Sequence, residues 1–409
     1  AKLHRDMQNS KWEPPKAAKN NGLLTRLTLG IRERQRRIQD QFTVARLATL
    51  AFCSLSTVRN VHAGYNGSED MKAMMDILAD RRPEWINEWL NAKIGSEWSE
   101  INWDTTRALV TSGLCDRPTS GGYIGLMIRG LPDPSYAKEG RRHTPLSRKL
   151  LKAPDLLDDE VWRLFEIETY AFFNLHSYER SPHAVEGFEN WGQALCRLAD
   201  EGHLDRGRLM DSSLSGLTMG FSNNMLTGYI AFHDRLKPSI DELTERQQTY
   251  IDLLPCSASR VVTFALKMLK ALDKAKLLDD AAFLATSQCL LNIPTKTQPK
   301  TGLMLLKHIV KRNADMAPLA ARAAATGLTH PSPDIQERAL ELLELAAVED
   351  DEKLHAIIAN CLEDLAAVHR PRAEQLLSKL GDMSPSEQLD AVTPKTDLMR
   401  TELIQRCEA

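Results

Sequence analysis

The stretch ALKMLKAL occupies residues 265–272, GLMLLKHI follows at 302–309 and ALELLELA at 339–346. The three phrases start thirty-seven residues apart. Outward from them the interval continues: GYIAFHDRL starts at Gly228, thirty-seven before Ala265, and AEQLLSKL starts at Ala373, thirty-four after Ala339. The four phrases that start at Gly228, Ala265, Gly302 and Ala339 are each followed by a second apolar segment with helical spacing: LTERQQTYIDLL, DDAAFLATSQCLL, MAPLAARAAATGL and KLHAIIANCLEDL. Pro255, Pro294, Pro331 and Pro371 close or follow those segments.

This pattern predicts a helix–turn–helix unit of about 37 residues, near the interval of HEAT and armadillo arrays. One such pair cannot cover its own apolar stripe, so neighbouring pairs must stack and share a core. Period-2 runs of β-branched residues are scarce. The expected fold is therefore all-α: a HEAT/armadillo-like α-solenoid of stacked helical hairpins in the C-terminal half, with a generic helical bundle as the alternative. Upstream, helices are expected near 24–38, 43–55, 68–80, 84–95, 103–114 and 120–130. SEDMKAMMDIL opens with a Ser and acids, a helix-start signal, and RRPEWINEWL places Pro83 where its missing N–H costs least.

The expected divisions are a polar arm over 1–22, an N-terminal helical region over 23–130, a basic Pro-rich loop or linker over 131–154, helical repeats over 155–381 and an acidic tail over 382–409. The arm is polar and broken by Pro14 and Pro15, and the linker carries four prolines.

Net charge over the 409 residues is −3, so the molecule as a whole is not a polyanion binder. The balance is uneven. Residues 1–60 carry twelve Lys/Arg against four Asp/Glu, and residues 331–409 carry eight against seventeen. Solvated faces and two ends meeting different partners give the same statistic. The seven cysteines are widely spaced with no C-x-x-C pair, which suits small buried side chains in a reducing compartment. VARLATLAFCSL is too short to span a bilayer and contains Arg46. A cytoplasmic location is expected.

RRPEWINEWL, TRALVTSGLCDRPTSGGYIGLM, DLLDDEVWRLFE, WGQALCRLADEGHLDRGRLMDSSL and HPSPDIQERALELLELA, in that order, resemble a bacterial family classed as a domain of unknown function. The resemblance runs over about residues 75–347. It implies an α-solenoid of HEAT-like repeats, often encoded beside SWIM zinc-finger proteins and MoxR-type ATPase/VWA proteins, and a scaffold or adaptor more than a catalyst. Arg82, Pro83, Trp85, Trp89, Gly113, Trp162, Phe165, Trp191, Gly202, Arg206, Leu209 and Gln336 are the positions that match.

Motifs that carry chemistry are scarce. No G-x-x-x-x-G-K-[ST] is present, and TSGGYIGLM has neither the phosphate-directed Lys nor a preceding strand. No zinc-ligand spacing recurs; His176 and His183, with Glu179 and Glu186 nearby, are separated by Pro182 and read as loop residues. No cofactor and no catalytic residue is assigned. The acids of LLDDE and VEDDEK read as helix-opening caps.

Two basic clusters and one aromatic pair remain. Arg32, Arg36 and Arg37 lie on an expected helix; Lys138, Arg141, Arg142, Arg148, Lys149 and Lys152 lie in the linker. A flexible basic segment gains affinity for phosphates by counterion release, and a solvated linker has the same composition. Trp85 and Trp89, at i and i+4, share a helical face. Exposed they are a partner's anchor; buried they are packing. The leading expectation is a non-enzymatic adaptor binding another protein, with nucleic-acid binding through the two basic clusters as the alternative. A HEAT-like DNA glycosylase type of enzyme comes last.

Overall fold

Apolar residues at helical spacing, punctuated by Pro, Gly and Asn, build the helices of the described residues. The computed structural model describes residues 34, 40–59, 68–95, 101–132, 144–168, 171, 189–348 and 351–380, and among these no strand occurs. The polar arm, Arg32, Arg36, Arg37, Lys138, Arg141, Arg142, the His176/His183 segment and the acidic tail lie outside the described residues. The chain divides into two compact units, Ala1–Leu236 and Lys237–Ala409. The division falls at 236/237, not within the linker expected over 131–154.

The first unit holds α1 (40–52), α2 (Ser68–Arg81), α3 (Ile86–Ile94), α4 (Trp103–Thr111), α5 (Gly121–Gly130), α6 (Leu146–Leu151), α7 (Trp191–Asp200), α8 (Arg206–Ser215) and α9 (Asn223–Leu236). Local signals fix their ends. Asn102 accepts from the Thr105 N–H at 2.8 Å, and Asp205 accepts from the Arg208 N–H at 3.0 Å. Asn190 and Gln193 form a reciprocal capping box at the start of α7. Gly113 (φ +69°) and Gly202 (φ +78°) follow α4 and α7, where the left-handed turn closes the helix. Both glycines of the family pattern thus have a backbone reason.

Residues 146–151 depart from the loop expected there. Leu146 and Leu150, at i and i+4, are buried, and α6 packs on α7. Beyond it, LLDDE forms a π turn over Leu156–Glu160 and Trp162–Phe165 a 3₁₀ turn.

Packing leaves no room for a side chain at Gly216. A Cβ there meets Tyr229 ring atoms at 2.6–2.9 Å. The ring cannot retreat, because it is wholly buried, stacks on Phe165 and donates its hydroxyl to the Leu164 carbonyl at 3.2 Å. Gly216→Ala is therefore expected to destabilise by about 1–3 kcal/mol, read by urea unfolding, although Ala favours a helical backbone.

The second unit holds α10 (Ile240–Glu245), α11 (Gln247–Asp252), α12 (Ser259–Ala275), α13 (Asp280–Thr286), α14 (Gln288–Leu291), α15 (Thr297–Arg312), α16 (Ala317–Ala325), α17 (Pro333–Ala346), α18 (Glu352–Asn360) and α19 (Arg370–Lys379). The helices α12, α15, α17 and α19 touch in turn, and so do α11, α13, α16 and α18. Polar bonds join the neighbours. The buried Asp273 of α12 meets His308 (2.6 Å) and Arg312 of α15. Lys307 of α15 reaches Glu341 of α17 at 3.4 Å. Glu344 of α17 takes a forked pair from Arg372 of α19 at 2.5 and 2.6 Å. The buried Gln336 donates to the Asp364 carbonyl and accepts from the Ala366 N–H.

Candidate functional site

The helix α7 buries Trp191, Ala194, Leu195, Leu198 and Ala199, and Trp191 Nε1 donates to the Ile128 carbonyl at 3.1 Å. Its other face carries Gln193, Cys196, Arg197 and Asp200, at i, i+3, i+4 and i+7. With Pro145, Glu189 and Arg235 of α9 these line a groove of about 530 Å³. Glu189 is nearly buried; it accepts from the Ser147 N–H at 2.6 Å and lies 3.2 Å from Arg197 Nε. Asp200 lies 3.7 Å from Arg206. The groove thus offers both charge signs and an amide within one turn of each other. Burial pushes the Cys196 thiol up to about 11, so at neutral pH it is no nucleophile. This arrangement can donate and accept hydrogen bonds and pair with either charge.

Sequence reasoning did not find this groove. Its signal was the polar stripe of WGQALCRLAD, but the opposite wall comes from Arg235, which only the tertiary fold brings near. A second, smaller groove of about 250 Å³ lies between α12 and α15, lined by Thr263, Leu266, Lys267, Lys270, Thr297 and Thr301, among others.

The residues expected to bind partners fare differently. Arg148 is exposed and lies 3.4 Å from Glu201, Lys149 donates to the Leu131 carbonyl at 2.7 Å, and Lys152 is exposed at the end of α6. Lys149 therefore ties α6 to the end of α5 and is not a free phosphate ligand. Trp89 is 0% exposed, which removes it as a surface anchor: its ring fills the interior beneath α3. Trp85 is half-buried, packs edge-on to Trp89 at 6.4 Å and lies under Arg81.

A third cluster lies in the core of the first unit. Glu160 is wholly buried in the π turn, with Arg117 Nε 3.1 Å from Oε1 and neither oxygen accepting a hydrogen bond. The hydroxyl of buried Tyr123 and Arg107 Nη1 also lack partners, while Arg107 Nη2 reaches Asp155 at 2.5 Å. Burial pushes the Glu160 carboxyl above its ordinary value; the dipole of its own backbone N–H and then Arg117 oppose this, and Asp159 and Asp155 push the same way as burial. The folded protein therefore holds this proton more tightly than the unfolded chain. Stability from that proton is present at acid pH and is lost as pH rises through the raised value. Glu160→Gln is expected to stabilise at pH 7 on the order of 1 kcal/mol, because a neutral amide replaces a charge that burial disfavours. Below the ordinary carboxyl range the gain vanishes, which melting curves at both pH values would read.

Among the described residues no group of three His, Cys, Asp or Glu side chains is placed to hold a metal, and no helix is long and apolar enough to cross a membrane. The family model for a domain of unknown function, DUF6493, matches residues 18–297. The chain belongs to DUF6493. No curated protein matches it. The DUF6493 match begins earlier and ends earlier than the resemblance over 75–347. It contains the whole groove of α7, whereas the smaller groove falls at its end, since Thr297 is its last matched residue and Thr301 lies beyond.

Proposed function

We propose that this DUF6493 protein is a non-enzymatic adaptor in a bacterial multi-protein system, its second unit a HEAT-like α-solenoid presenting faces to another protein in the cytoplasm. The observation that carries the reading is the like-on-like order of contacts. First helices of successive pairs touch first helices, and second helices touch second helices. The first helices open at Ser259, Thr297, Pro333 and Arg370, which supports the interval of about 37 residues read from the sequence. Stacked pairs leave a row of helix faces open along the array, the usual binding surface of such proteins. The mixed-charge groove on α7 supports a polar, protein-like ligand in the first unit.

The nucleic-acid reading draws less support. Of its described residues, Lys149 is committed to a backbone carbonyl and Arg148 faces Glu201. Affinity capture from the native cell, with and without nuclease, followed by mass spectrometry, separates the two. Proteins retained after nuclease are the expected result. Loss of every partner on nuclease treatment, or no partner at all, would overturn the adaptor.

A further inference from the structure

The second unit is electrically divided. Residues 256–312 carry ten Lys/Arg against three Asp/Glu, and residues 331–364 carry two against ten. On α12 the exposed stripe reads Thr263, Lys267, Lys270, Lys274, at i, i+4, i+7 and i+11. Lys270 and Lys274 have no acidic partner among the described residues. Lys296, just before α15, and Lys300 within it lie 3.4 and 3.6 Å from Asp334, and Lys307 lies 3.4 Å from Glu341. The acids of α17 thus neutralise much of the charge of α15. Lys270 and Lys274 leave positive charge on α12 beside the groove of about 250 Å³ floored by Leu266.

We propose that the α12–α15 groove is the docking site for a short acidic segment of a partner polypeptide. This deepens the adaptor reading and rests on it. Carboxylates of the segment pair with Lys267, Lys270 and Lys274, and a small or apolar side chain sits over Leu266 between Thr263 and Thr301. Gln298, 3% exposed, holds the two walls in register by donating to Ser259 Oγ at 2.7 Å and Thr263 Oγ1 at 3.0 Å.

Two features favour a short peptide over nucleic acid. From Lys267 to Lys274 the stripe is about 10 Å long at 1.5 Å per residue. A longer polyanion crossing the helices would run from α12 over α15 onto α17, where Lys296, Lys300 and Lys307 already face acids and offer it little further attraction. The lining of the groove is Thr, Leu, Lys and Gln; it has no aromatic ring on which a base can stack, the feature that gives single-strand binders much of their affinity.

The test is fluorescence anisotropy on the full chain. The probes are a labelled twelve-residue peptide of glutamates with interspersed leucines and a twelve-nucleotide single-stranded DNA. Peptide binding is expected to weaken at least tenfold in Lys267→Glu/Lys270→Glu and to weaken as salt rises. Lys311→Glu, on the exposed face of α15 outside the groove, is expected to change it less than twofold. Both stripe lysines are exposed, so the variants should melt with the wild type, and Lys267→Gln/Lys270→Gln gives a milder check. No peptide binding, equal binding by the double variant, or DNA bound more tightly and lost with the same lysines would each overturn the proposal. Native partners still captured by the double variant would sink this surface while leaving the adaptor standing.

Discussion

Replacing Trp89 by alanine is expected to cost about 3–5 kcal/mol, the usual loss when a buried large aromatic is truncated. The indole is wholly enclosed, α3 packs on α5, and Trp85 meets it edge-on. No collapse of neighbours can fill a void of that size. Trp85→Ala should lose far less, about 1 kcal/mol, because its ring is half-buried and its Arg81 contact is a surface one. Trp89→Phe should fall between them. It keeps a ring but leaves a gap, and it removes an indole N–H that has no hydrogen-bond partner. Urea unfolding of the three variants orders them. A Trp89→Ala protein as stable as wild type, yet deficient in partner capture, would restore the anchor reading that the burial removes.

The helices were legible because their signals are local. A Ser and acids opened α2, Pro83 preceded α3, and apolar residues at 3.6 spacing set the buried faces of α12, α15 and α17. VEDDEK behaved as a cap: Asp351 accepts from the Leu354 N–H at 3.0 Å. LLDDE did not, because Glu160 is turned into the core by the π turn, and no local pattern announces an extra residue in a helical turn. The linker reading failed over 146–151 for a related reason: four prolines outweighed two leucines one turn apart. The candidate surfaces were less legible. ALKMLKAL was read for its apolar face, and the same phrase holds Lys267 and Lys270 on the opposite one. The groove on α7 needs Arg235, thirty-eight residues beyond Arg197 in sequence. Distance along the chain hid it.

Arg322→Ala is expected to destabilise by about 2–3 kcal/mol at pH 7, the lower end for breaking a buried pair, since Arg322 is itself 35% exposed. The guanidinium makes a forked contact with Asp351, at 3.0 Å from each carboxylate oxygen, and joins α16 to the first turn of α18. Burial works to raise the Asp351 carboxyl; Arg322 and the Leu354 N–H outweigh it and hold the group below its ordinary value. Because the folded value is depressed, this contribution is complete above the ordinary carboxylate range near 3.9 and is lost as pH falls through the depressed value. Without Arg322 the carboxyl keeps its bond from the Leu354 N–H but loses the charge that holds it down. The gap between wild type and Arg322→Ala should therefore be full at pH 7 and shrink only at a second pH below the ordinary carboxylate range. Asp351→Asn, which keeps an acceptor for the Leu354 N–H, should lose less and show no such closing. An equal loss at both pH values would mean that Arg322 acts through the packing of its stem. A loss that follows pH would mean that charge joins one helical pair to the next.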